Sequence, residues 1–420
     1  MLRLAQRSGW QLTITGALAV ALAACGGVER SPGNEVSHDG PSAAGTAVTA
    51  PPTGATRETP APSANRDAGP SPGGFVPFPH PAYPTVENGG AAVLATPKLV
   101  TVTFAGWEGR AHAEAYGDAL VQSTWLATVG ADYGVGKGAH VAKVALGEAA
   151  PSTIDDDQVG HFLFTRFGTG ALPAPPSGGN DYLYVIYVPA ATVLTASFLG
   201  KSCHEFDAYH SAAMVPGVGR VAYALVADCG ATPLETEVAV SHEVIEAATN
   251  PTPRTQFAWY SPPSTWTGVV SGSPTNAAEI GDMCIALNVW HEPPFAYTRV
   301  WSGSAAALGR EPCIPTASGA PAFGVVAPSS APTVARGASV TLTLTGWSSA
   351  RASAQHLSVL QVAGTPFDSV SFSAEAVENG DTTELTLAVA ASTQPGPSYF
   401  FVDSELDGEV HHTPVSIVVK

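Results

Sequence analysis

A chain of 420 residues leaves room for two folded domains, and its 35 acidic against 18 basic side chains give a formal net charge of −17. That balance excludes the basic footprint of a nucleic-acid binder and electrostatic adhesion to anionic lipid. Beyond the first 24 residues no segment is apolar for long enough to span a bilayer.

Arg3 and Arg7 precede an apolar stretch from Leu12 to Ala24, and small residues close it as a cleavage site does. The site, Leu22-Ala23-Ala24-Cys25, resembles the bacterial lipobox, in which the thiol is lipidated and becomes the new N-terminus. Residues 1–24 are therefore expected to be a lipoprotein signal peptide, and lipid on Cys25 the chain's hold on the membrane. Gly26 and Gly27 lack the aspartate that retains many such lipoproteins at the inner membrane. The expectation is an exported cell-envelope protein at the outer membrane, facing the periplasm or the cell surface. Residues 25–75 are mostly Pro, Gly, Ala, Ser and Thr, which bury too little apolar surface to offset chain entropy. They read as a disordered tether with a mean reach of roughly 40 Å.

Residues 76–315 read as an α/β (α+β) domain. Lys98 to Ala105 alternates as a strand, Ala111 to Val129 reads as a helix, and Asp181 to Val188 and Arg220 to Ala227 are further strands. Thr232, Pro233 and Glu235 then spell a capping box with proline at the first helical position. That helix should run to about Ala248 and stop before Asn250-Pro251, because a residue ahead of proline avoids helical geometry. From 321 to 420, six or seven short alternating strands separated by Gly, Pro and Asn turns predict a β-sandwich, immunoglobulin-like in architecture only. His411-His412 reads there as a solvated loop. With Cys25 assigned to lipid, Cys203, Cys229, Cys284 and Cys313 are expected to pair as disulfides in an oxidising compartment. Three connectivities exist; Cys203–Cys229 and Cys284–Cys313 are the sequence-local choice.

The capped helix carries Ser241-His242-Glu243-Val244-Ile245-Glu246. Residues four apart share a helix face, so His242 and Glu246 present an imidazole and a carboxylate side by side. This is the arrangement of the His-Glu-x-x-His zinc motif with a carboxylate as second ligand, an HExxE sequence. Zinc accepts both donor types; it would polarise a water, and Glu243 would take the proton. Downstream, Glu279 and Asp282 stand beside Cys284. Glu279 as ligand with Asp282 orienting a histidine, or the reverse, completes the set. His210, His204 and His291 are further candidates whose positions nothing in the sequence ties to the helix. The apolar flanks Val240, Val244, Ile245, Ala247 and Ala248 imply burial, and buried carboxylates need a cationic partner.

Three stretches together resemble the bacterial relatives of the plant EXORDIUM-like (phosphate-induced) proteins: His242 to Pro251, Ala258-Trp259-Tyr260, and Glu279 to Cys284. Tyr209-His210-Ser211 and Val300-Trp301-Ser302 add to the likeness, which covers most of residues 98–315. It implies an extracytoplasmic, zincin-like domain with paired cysteines. Two functions follow as expectations. One is a zinc-dependent hydrolase, a metallopeptidase-like protein acting on protein or peptide. The other is a non-catalytic surface protein binding wall polysaccharide (a glycan) or protein, with Trp107, Trp259, Tyr260, Trp266, Trp290 and Trp301 as a stacking platform.

Overall fold

In the computed structural model, residues 74–176, 179, 181–360 and 367–420 are described. The signal segment, Cys25 and the tether to residue 73 lie outside them. The α/β part contains β1 (Lys98–Thr103), α1 (Arg110–Gln122), α2 (Thr124–Val129), β2 (Ala139–Ala145), α3 (Asp156–Thr169), β3 (Tyr182–Val188), β4 (Ala208–Val215), β5 (Gly219–Ala227), α4 (Pro233–Thr249) and α5 (Thr265–Ser271). Its sheet runs β2-β1-β3-β5-β4. The first four strands are parallel, and β4 lies antiparallel at the edge.

Strand β3, Tyr-Leu-Tyr-Val-Ile-Tyr-Val, is apolar throughout because both faces are covered. Leu183, Val185 and Tyr187 join the apolar cluster under α1, α2 and α4, while Tyr184, Ile186 and Val188 join the one under α3. The single helix expected from Ala111 to Val129 is two. Ser123 leaves helical geometry at ψ 153°, and its hydroxyl accepts the Leu126 N–H at 2.9 Å, capping the second. A serine gains more as an N-cap than inside a helix, which the apolar periodicity does not reveal.

Helix α4 has the expected capping box: Thr232 Oγ1 accepts the Glu235 N–H at 3.3 Å, and Glu235 Oε2 accepts the Thr232 N–H at 2.7 Å. The disulfides are Cys203–Cys229 and Cys284–Cys313. They suit an oxidising, extracytoplasmic compartment. No helix among the described residues is long and apolar enough to cross a membrane.

The remainder is a β-sandwich of β6 (Phe323–Val326), β7 (Ser339–Ser348), β8 (Gln355–Leu360), β9 (Phe367–Phe372), β10 (Thr382–Val389), β11 (Gly396–Leu406) and β12 (Glu409–Val419). One sheet runs β6-β7-β10-β9; the other has β12-β11-β8 at its centre. Leu342, Leu344, Leu385, Leu387, Phe400, Val402, Val415 and Ile417 fill the space between them.

Pro77–Lys420 is one compact unit, and the outer face of the second sheet explains why. Phe401 belongs to the α/β core rather than the sandwich core, with its ring 5.3 Å from that of Trp266 on α5. At Gly268 any Cβ would sit 2.8 Å from the Tyr399 ring, so glycine permits the close approach. The expectation of a solvated loop at His411-His412 is corrected here. Both lie inside β12 and are buried, His411 stacked on Phe323 at 3.8 Å and His412 on Phe401 at 4.4 Å. His411 keeps the parity of Val415, Ile417 and Val419 but lies past the sandwich core, against Phe323 and Glu311, and His412 falls on the opposite face, against Phe401.

Candidate metal centre

Helix α4 enters the α/β core near its C-terminal end, and from Val240 to Thr249 every residue is buried. The one-turn spacing places His242 Nε2 3.2 Å from Glu246 Oε2. Asp282, on the short 3-10 turn Asp282–Cys284, brings Oδ1 to 3.6 Å from the same His242 nitrogen. Three donors about 3.3 Å apart are what a tetrahedral ion with bonds of roughly 2.0–2.1 Å requires. The Cys284–Cys313 disulfide fixes the end of this turn. Its backbone meets the helix closely: the Asp282 N–H donates to Glu246 Oε1 at 3.0 Å. A Cβ on Gly281 would lie 2.7 Å from that oxygen and 3.0 Å from the His242 ring.

The edge strand supplies the histidine that sequence alone left unplaced. Alternation puts Ala208 and His210 on the α4 side of β4 and Tyr209 on the other. His210 Nδ1 lies 3.2 Å from Glu243 Oε2 and 3.7 Å from Glu246 Oε2, and its Nε2 lies 3.4 Å from Glu279 Oε1. Glu279 borders the His242–Glu246–Asp282 group, its N–H donating to Asp282 Oδ2 at 3.4 Å. It accepts from Asn250 Nδ2 at 2.6 Å, while the Asn250 carbonyl is 3.3 Å from His210 Nε2 and its Oδ1 accepts the Ala258 N–H at 2.9 Å. Asn250 is thus a positioning residue that the sequence reading took only as a helix stop. His204 is exposed at the start of the disulfide loop and His291 is exposed on a two-stranded hairpin.

The electrostatics are lopsided. Burial alone would lower the pKa of His210, yet Glu279 and Glu243 hold it well above the usual imidazole range. Burial likewise opposes protonation of His242, and Glu246 and Asp282 raise it well above that range. Burial pushes Glu246 up to about 8, with His242 pulling down and Asp282 and Glu279 pushing further up. Four carboxylates and two imidazoles share a volume from which solvent is nearly excluded, and His242, the most open of them, is 9% exposed at its side chain. Such a set gains most from a bound cation.

Elsewhere, a cavity of about 570 Å³ opens at the carboxyl ends of β1, β3 and β5, beside Trp107, His112 and Glu237. None of the cluster residues lines it. The aromatic platform does not assemble. Trp266 and Trp301 are buried edge-to-face at 4.8 Å, and Trp259 Nε1 donates to the Tyr133 carbonyl at 3.1 Å. The Asp155–Asp157 run is a helix start, with Asp155 as N-cap and Asp156 accepting from Tyr209 and Arg254 at 2.9 Å each.

No family model and no curated protein matches the chain. Among solved structures, domains 4 and 5 of the S-layer protein SbsC are similar at 16% identity and a TM-score of 0.18, over 24% of this chain and 53% of that one. The titin M3 domain is similar at 14% identity and a TM-score of 0.17, over 24% of this chain and 96% of that one. A β-glucosidase from Listeria innocua is similar at 10% identity and a TM-score of 0.19, over 77% of this chain and 46% of that one. At such values the likeness says nothing about activity.

Proposed function

We propose that this chain is an exported, lipid-anchored metalloprotein of the cell envelope whose α/β domain is zincin-like and hydrolyses a peptide or related acyl bond. The observation that carries the reading is the trio His242, Glu246 and Asp282, one nitrogen and two oxygen donors at 3.2 and 3.6 Å from the shared imidazole. Nitrogen and carboxylate oxygen are zinc's own donor types, and three protein ligands leave the fourth position that catalytic sites keep open. Zinc held there supplies a Lewis acid that polarises a carbonyl and lowers the pKa of water. Glu243, next in sequence to His242, is the proton acceptor, and His210 fixes its carboxylate at 3.2 Å. The Asp282 N–H orients Glu246, and the disulfide at Cys284 fixes the turn that carries Asp282 to the helix.

A mixed parallel sheet with one antiparallel edge strand facing the motif helix supports the zincin-like assignment, as does the resemblance to the bacterial EXORDIUM-like proteins. The resemblance of Leu22–Cys25 to a lipobox supports a lipid anchor, and Gly26-Gly27 after it supports the outer membrane. The second reading, a non-catalytic surface protein that binds glycan or protein, is favoured by the depth of the cluster, where the most open donor side chain is 9% exposed. Metal content of the purified protein, followed by peptide and ester hydrolysis by wild type and Glu243→Gln, separates them. Bound zinc with activity lost in the variant is expected; no bound metal, or equal turnover in both proteins, sinks the catalytic reading.

A further inference from the structure

Five of the six buried side chains close into two trios rather than one. The donors of His242, Glu246 and Asp282 lie within 4.8 Å of one another, and so do those of His210, Glu243 and Glu246. Glu246 belongs to both, through one oxygen. Its Oε1 is engaged by the Asp282 N–H at 3.0 Å, so Oε2 is the atom turned between the imidazoles, 3.2 Å from His242 Nε2 and 3.7 Å from His210 Nδ1. On the far side of the His210 ring, Nε2 faces the Asn250 carbonyl at 3.3 Å and Glu279 at 3.4 Å. This is how a metal-binding histidine is usually oriented, with its other nitrogen bonded to a carbonyl or carboxylate.

Charge gives the number of ions. With both imidazoles neutral, as ligation demands, Glu243, Glu246, Glu279 and Asp282 carry four negative charges. One divalent cation on the first trio leaves His210 outside its ligands; even with a proton on that ring, which faces three carboxylates, one negative charge stays uncompensated in a nearly dry pocket, where an unpaired charge costs several kcal/mol. Two divalent cations neutralise the set. We infer that the pocket takes two divalent cations of the zinc class bridged by Glu246, and that the second, on His210 and Glu243, is regulatory. Imidazole donors select for zinc and its neighbours over calcium or magnesium. The consequence follows from Glu243: as a ligand of the second ion it no longer accepts a proton, so filling that position switches off the chemistry of the first. This rests on the reading of the His242–Glu246–Asp282 trio as the primary site.

The test is a titration of the metal-stripped full chain with zinc chloride, counting bound zinc per chain by elemental analysis after ultrafiltration. Wild type should bind two equivalents, and His210→Ala one. Hydrolysis should rise through the first equivalent and fall about a hundredfold or more by the second, the usual scale for loss of a general base. Saturation of wild type at one equivalent, or two equivalents retained by His210→Ala, overturns the second site and leaves the single-ion reading standing. Zero equivalents removes both. The wild-type count decides even where the variant fails to fold.

Discussion

Two of the buried groups of acids and bases among the described residues differ in how their charges add. At the interface of the α/β part with the sandwich, each acid has its own base. His411 faces Glu311 at 3.1 Å, His412 faces Asp403 at 2.7 Å, and Arg299 faces Glu409 at 2.6 Å. Around α4 the acids outnumber the bases, and single nitrogens face two carboxylates at once. A one-to-one arrangement is complete by itself and serves to join two surfaces. An arrangement with excess negative charge is complete only with something added.

The strongest way to break the comparison is to remove one base from the complete group. Arg299→Ala strands Glu409 and the groups around it, and should cost about 3 kcal/mol of unfolding free energy in a denaturant titration. An effect under about 0.5 kcal/mol would mean that the pair is merely decorative. Next in size, zinc at a hundredfold over its Kd should stabilise wild type by about 2.7 kcal/mol in thermal melts. Glu246→Gln should lose that gain, while Asp403→Asn, in the complete group, should keep it. Smallest, His412→Ala should cost about 1.5–2 kcal/mol at pH 6, the scale of hydrogen bonds made by a charged donor. Burial would lower the pKa of His412, but Asp403, the Ile285 carbonyl and Glu311 raise it above the usual value. Its contribution is therefore full below about pH 6.5 and lost as pH rises through the folded value. The gap between wild type and variant should narrow from pH 6 to pH 9; a gap that widens instead contradicts this account of the interface.

Much of the helix that bears the site was legible. Thr232, Pro233 and Glu235 state where it begins and Asn250-Pro251 where it ends, because capping and proline sterics are local. The pairing of the four cysteines followed from chain proximity. His242, Glu243 and Glu246 could be placed on adjoining faces from helical period alone. What stayed hidden was long-range. His210 lies 32 residues before His242 on an edge strand, and only the sheet order brings it to α4. The choice between Glu279 and Asp282 depended on a turn of three residues with no periodicity to read. The His411-His412 pair was misplaced because polarity was weighed above the alternation that continues through Thr413, Val415 and Ile417.

The ring of Phe401 lodged against Trp266 also bears on how the chain withstands cleavage. A protease nicking the stretch between residues 315 and 321 would not liberate two viable halves, because each would be left with a greasy scar where the other had been. Cleavage there should leave a nicked molecule that still migrates as one body until denatured. That is a form of resilience that swapping or deleting either half would forfeit.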